Sequence, residues 1–290
     1  MFIISAFYEP TPSVAVAPNF SAAEVAAAFG CTSAAPLGTG SFGETWRISQ
    51  AGSVDRAAKL ILEPAYPKAY LDREAEGLRR ANSPYVVNLL EVQQVHVAGH
   101  DRPALIFEYI DGGAVAGHLQ LGVPVPPDDV RCFAQGLLAG VAELHDQQTV
   151  HRDIKPDNIA LRGGDWTQPV LLDLGLAKML DEASITAYPA MMGTVAFMAP
   201  EQLKGERARQ MADMFAVGVV LHIMLAGAHP FYGFRAQAVD DLEAIRLIED
   251  GPKPLPTTTP PDLAAVVTRL LSAAAYKRGR AERALRDLII

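Results

Sequence analysis

A change of period at Asp111-Gly112-Gly113 constrains this 290-residue chain more than any other feature. Ahead of that turn, Glu44 to Ile48, Ala57 to Leu62, Val86 to Val97 and Ala104 to Ile110 read as strands, in short runs bearing β-branched or aromatic residues. Beyond it the spacing lengthens. Val130, Phe133, Leu137, Val141 and Leu144 fall on one helical face behind an Asp128 or Asp129 cap. Phe215 to Ala228, Asp240 to Ile248 and Asp262 to Leu271 continue in helical style. Strands first and helices afterwards predict an α+β chain in two lobes, the first small and mainly β, the second larger and mainly α. With half its residues hydrophobic and a fifth charged, a chain of this length can bury a core in each lobe.

Two helices precede the turn. Ser21-Ala22-Ala23-Glu24 matches a capping box, so a short helix runs to about Phe29, stops at Gly30 and packs onto the neighbouring lobe. Around Tyr70 to Arg80, Leu71, Ala75 and Leu78 define an inward stripe on which Glu74 also lies, while Glu76 and Arg79 face elsewhere. The predicted divisions are an extension at 1–35, a first lobe at 36–110 and a second at 111–290.

The formal net charge of -8 argues against a general affinity for nucleic-acid backbones, and no nucleic-acid partner is expected. Cys31 and Cys132 lack paired spacing and read as reduced, buried or half-buried thiols of a cytoplasmic protein. Met1 to Tyr8 is apolar but cut off by Glu9, Pro10 and Pro12, and Phe215 to Ala228 is only 14 residues long and carries His222. No membrane segment is expected.

The chemistry is concentrated in His151-Arg152-Asp153-Ile154-Lys155-Pro156-Asp157-Asn158. An aspartate to accept a hydroxyl proton, a lysine to hold a phosphate and an asparagine to hold a metal make a phosphoryl-transfer apparatus within eight positions. Upstream, Gly38, Gly40 and Gly43 give G-x-G-x-x-G. A dinucleotide fold would open a helix at the last glycine, but Glu44 to Ile48 alternates like a strand. Strand, glycine turn and strand make a flap that lays backbone amides over phosphates. Lys59, alone among apolar neighbours on the next strand, then reads as a phosphate contact, and Glu74 as the carboxylate that holds it.

These motifs, in this order, resemble those of the eukaryotic-type (Hanks-type) protein kinases, over roughly residues 36 to 290. Lys155-Pro156 resembles the serine/threonine branch, and the Ala-rich, Lys-poor style suggests a bacterial source. The resemblance implies a bilobal protein-kinase-like fold and an ATP- and Mg2+-dependent serine/threonine kinase. Gly38 to Gly43 would cover the ATP phosphates, Lys59 would bind the α- and β-phosphates, and Glu74 would orient Lys59. Phe107 would be the gatekeeper, with the backbone of Glu108 to Ile110 on adenine. Asp153 would be the catalytic base, Lys155 the γ-phosphate contact, and Asn158 and Asp173 the magnesium ligands. In Asp173-Leu174-Gly175, Leu174 replaces the family's phenylalanine and keeps an apolar plug.

Gly193 to Glu201 resembles the segment that receives the protein substrate, with Thr194 against the catalytic aspartate and lysine. Further roles are implied for Glu201, pairing with Arg278, and for Asp213, bracing the catalytic loop. Arg152 would bind a phosphate on Ser184, Thr186 or Tyr188. The implied partners are protein substrates with serine or threonine hydroxyls, and self-association for trans-autophosphorylation is left open. Two rival classes stand against this reading. A pseudokinase scaffold usually shows damage at positions that are intact here, and a small-molecule kinase usually lacks both the Lys155 match and Ala199-Pro200-Glu201.

Overall fold

The computed structural model describes residues 17–40, 43–173, 195–207, 209–233 and 240–289, without the side chains of Tyr70, Arg73 and Glu74. The chain opens with α1 (Ala22–Phe29). Ser21 and Glu24 form the expected capping box, and Gly30 ends the helix in the left-handed region that glycine tolerates.

Five antiparallel strands come next: β1 (Ser33–Thr39), β2 (Gly43–Ser49), β3 (Arg56–Ile61), β4 (Leu89–Val97) and β5 (His100–Glu108), in the order β1-β2-β3-β5-β4. Between β3 and β4 lies α2 (Lys68–Arg80), whose Leu71, Ala75 and Leu78 are buried as their spacing requires. Strand alternation sorts the sheet into two faces. Ile61, Leu105 and Phe107 belong to a core shared with α2 and the second lobe. Trp46, Ala58, Leu60, Ala104 and Ile106 face the other way, where Phe20 and Val25 at and within α1 cover them.

The second lobe holds α3 (Pro127–Asp146), a short hairpin of β6 (Ile159–Leu161) and β7 (Pro169–Leu171), then α4 (Pro200–Leu203), α5 (Gln210–Ala226), α6 (Asp241–Glu249), α7 (Pro261–Leu270), α8 (Ala275–Arg278) and α9 (Ala281–Leu288). Neither Asp128 nor Asp129 caps α3, contrary to the sequence expectation. Pro127 takes the first helical position, where its missing N–H costs nothing, and both aspartates lie in the first turn, where the helix dipole favours them. The centre of α5 is buried on every side, so the long apolar run is a core helix. None of the helices among the described residues is long and apolar enough to cross a membrane.

The chain passes from the sheet to the helical part through the Asp111-Gly112-Gly113 turn. Leu161 N–H donates to Gly113 O (3.0 Å), and Gly163 N–H donates to the Asp111 carboxylate (2.8 Å). A side chain at position 112 would begin 1.9 Å from Leu161 O, so this close approach admits only glycine. The observed bilobal arrangement, sheet first and helices second, agrees with the predicted fold class.

Candidate active site

The residues singled out by sequence arrive from three places. The octet leaves α3 as a loop leading into β6. Its Asp153 carboxylate accepts from Lys155 Nζ at 3.0 Å and from Asn158 Nδ2 at 2.8 Å, both on Oδ2, and Asn158 Nδ2 also donates to Asp153 O at 2.8 Å. These bonds fix how the aspartate is presented and leave Asn158 Oδ1 as that side chain's remaining oxygen.

The hairpin brings the second contributor. Ile159 pairs with Leu171, and Leu172 N–H donates to Asn158 O (2.9 Å), so Asn158 and Asp173 emerge at the same end of β6 and β7. His151 secures the two segments to each other. Its Nδ1 accepts from Asp153 N–H (3.3 Å), which leaves Nε2 to carry the proton donated to Leu172 O at 2.8 Å. Arg152 and Asp173 both have positive φ, at 66° and 48°, a conformation that costs energy for residues other than glycine. Strained backbone thus brackets the site on both segments.

The third contributor is the sheet. Lys59 is paired across β2 with Thr45 and across β5 with Leu105, pointing to the inner face. It is 8% exposed and forms an ion pair with Asp173. Glu74 lies within α2, but its side chain is outside the described residues, so the expected Lys59–Glu74 pairing is untested. Gly38 lies in the last residues of β1 and Gly40 directly after it, and Gly40 N–H donates to Gly43 O (2.9 Å). A Cβ on Gly43 would lie 2.7 Å from Leu60 O, so the close approach of β2 and β3 requires glycine there.

Phe107 is buried on the face that carries Lys59, opposite Ala57. At the lobe junction, Glu108 N–H is already given to Asn88 O (3.1 Å), so of its two backbone groups only the carbonyl is left for a ligand. The Glu108 carboxylate accepts from Asn88 N–H (3.0 Å) and from Arg162 (2.9 Å), an ion pair between the lobes that the sequence did not reveal.

Two structural expectations are met. Asp213 accepts from the backbone N–H groups of His151 (2.9 Å) and Arg152 (2.7 Å), and so braces the loop. It also accepts from His145 Nε2 (2.8 Å), a buried partner for which the sequence carried no signal beyond a histidine at a helix end. Arg278, fully buried, meets Glu201 through two bonds of 2.6 and 3.0 Å. Leu174, Gly175, Ser184, Thr186, Tyr188 and Thr194 lie outside the described residues. Cys31 and Cys132 are both free and half-buried.

Comparison with known proteins places this geometry. The protein kinase domain family matches residues 31–289. Among curated relatives, the chain is 30% identical to the probable serine/threonine-protein kinase PkwA of Thermomonospora curvata, covering 80% of this chain and 30% of that protein. It is 28% identical to the serine/threonine-protein kinase pkn2 of Myxococcus xanthus, over 88% of this chain and 31% of the relative. To the serine/threonine-protein kinase PkaA of Streptomyces coelicolor it is 28% identical, over 87% and 48%. The chain thus spans from under a third to about half of these relatives' lengths. Matched across nearly its whole length, the chain belongs to the protein kinase family.

Proposed function

We propose that this chain transfers the γ-phosphate of ATP to serine or threonine hydroxyls of proteins. The observation that carries the reading is convergence: Lys59 from the sheet pairs with Asp173 just beyond β7, at the end of the hairpin where Asn158 of the octet enters β6, and Asn158 and Lys155 both donate to Asp153.

Phosphoryl transfer passes through a loose transition state, so the protein's work is to align the reactants and neutralise spread negative charge. Lys59 holds the α- and β-phosphates under the Gly38–Gly43 flap, with Glu74 orienting it. The backbone of Glu108 to Ile110 receives adenine beside Phe107. Lys155 reaches the γ-phosphate, while Asp153, held by Lys155 and Asn158, takes the hydroxyl proton. Asn158 Oδ1 and the Asp173 carboxylate fit magnesium, since both are hard oxygen donors and this ion needs few from the protein. When bound there, the ion neutralises charge between the phosphates.

Protein substrates enter against the segment ending at Glu201, and Arg152 reads a phosphate on Ser184, Thr186 or Tyr188. We place the protein in the cytoplasm, without nucleic-acid partners, and self-association would permit phosphorylation in trans. Incubation with γ-labelled ATP and magnesium tests the reading. Label in protein serine or threonine supports it, whereas label confined to a small metabolite, or no label at all, overturns it.

A further inference from the structure

Glu44 is a charged residue with 0% exposure, placed where it governs the flap. It comes directly after Gly43, and in the β1–β2 register it lies opposite Thr39, the last residue of β1. Glu44 therefore stands at both feet of the glycine turn. A carboxylate without water must be matched by donors or its strand will not stay in place. Oε2 accepts from Trp46 Nε1 at 3.3 Å. The closer partner is Asn19, whose backbone N–H and Nδ2–H both donate to Oε1, the latter at 2.7 Å.

Asn19 lies ahead of the family match, which begins at residue 31. Its neighbours on the C-terminal side hold it in place. Phe20 is buried and carries Arg102 over its ring at 5.3 Å, and Ser21 opens α1 through its capping box. Val25 then anchors α1 on the outer face of the sheet beside Trp46 and Leu60. The extension thus delivers two N–H donors to the one buried carboxylate at the base of the flap.

We propose that Asn19 is a positioning residue for ATP, setting the glycine flap through Glu44, so that the segment ahead of β1 is part of the nucleotide site. The proposal rests on the reading of Gly38 to Gly43 as the ATP flap.

Asn19 is itself exposed, so its variants leave the α1 contacts untouched. Asn19→Asp sets a second carboxylate against the buried one. Calorimetric titration with ATP and magnesium should show affinity weakened about tenfold, and KM for ATP should rise equally, with kcat and KM for dephosphorylated casein within about twofold of wild type. Asn19→Ala, which keeps the backbone donor, should weaken ATP by about threefold. Asn19→Asp combined with Glu44→Gln restores an amide–carboxylate pair with its direction reversed, and should recover most of the ATP affinity. A merely structural role would lower the melting temperature without moving ATP affinity. Equal ATP affinity in wild type, Asn19→Ala and Asn19→Asp overturns the proposal, as does loss of cooperative folding in both variants. Wild-type protein that binds no ATP would instead overturn the flap reading, and this inference with it.

Discussion

Lys59 on β3 and Asp173 beyond β7 form an ion pair across the cleft, joining the sheet to the second lobe. Their exposures differ, the lysine side chain being 10% exposed and the aspartate 38%. The cation is thus held within the sheet while the carboxylate stays partly exposed. A nucleotide entering with its metal would meet both charges at one point, with phosphates replacing the aspartate on Lys59. The same pair contributes to the tolerance of a buried lysine on a strand of apolar residues, since an unmatched ammonium there would be costly.

The proposed roles of Lys59 and Asp153 can be separated from folding. Asp153→Asn keeps the shape and a hydrogen-bonding side chain but removes the proton acceptor. It should lower kcat by about 10²–10⁴-fold, the usual contribution of a general base, while thermal unfolding stays close to wild type. Lys59→Met removes the phosphate contact, should abolish transfer and should leave folding nearly intact. Purified Asp153→Asn protein with near-wild-type activity would refute the assignment.

Asp213 is both structural and linked to the site. Fully buried, it takes donors from His145, His151 and Arg152, two of them backbone amides of the octet. Asp213→Ala strands all three, so stability should fall by about 3 kcal/mol. With the loop's brace gone, kcat should fall more than that loss of stability explains at temperatures where the variant is still folded. Urea titration and steady-state rates on the same preparation check both parts. An unchanged kcat in folded Asp213→Ala would show that the loop holds its shape alone.

The places where sequence reading succeeded and failed fall along a physical line. Local rules found α1, because Ser21, Glu24 and Gly30 act within a few residues of one another. Periodicity found the buried stripe of α2, and an unbroken apolar run found the core helix α5. The octet and the Glu201–Arg278 pair were legible through family resemblance. Asn19–Glu44 and Arg162–Glu108 were not, because each joins residues 25 and 54 positions apart whose types are ordinary at the surface. Only folding makes Glu44 a buried charge. The misplaced cap of α3 was a competition between two valid signals, in which a proline at the first helical position outranked the aspartates behind it.

Arg278 should be irreplaceable by lysine. Its five N–H groups make five bonds, to Ser272 O, Met211 O, Ala273 O and both Glu201 oxygens, and its guanidinium lies over the Phe215 ring at 4.9 Å. Lysine offers a point charge with three donors and no plane to stack. Arg278→Lys should therefore cost about 3 kcal/mol in urea unfolding, near the cost of Arg278→Met. ATP affinity of the folded fraction should not change, since among the described residues Arg278 bonds only to Glu201 and to backbone carbonyls of Met211, Ser272 and Ala273. A lysine variant as stable as wild type would show that charge alone holds this pair.

The acid limb of stability should trace to His229. Its Nδ1 accepts from the backbone N–H groups of Phe231 and Tyr232 (3.2 Å each), so Nε2 carries the proton donated to Ala196 O at 2.8 Å. Burial pushes this imidazole down to about 3, and neighbouring His222 and Lys253 oppose its charging further. The unfolded chain takes up a proton below about pH 6.5, which the folded chain refuses until much lower pH. The neutral histidine's contribution is thus fully present above pH ~6.5 and lost progressively as pH falls toward 3. His229→Gln keeps an N–H for Ala196 but cannot titrate. Between pH ~6.5 and ~4.5, wild type should lose up to about 1.4 kcal/mol per pH unit more than this variant. His222, also held low by burial, is present in both proteins and cancels in the difference. Urea midpoints measured across that range decide the matter, and parallel slopes for the two proteins would remove His229 as the cause.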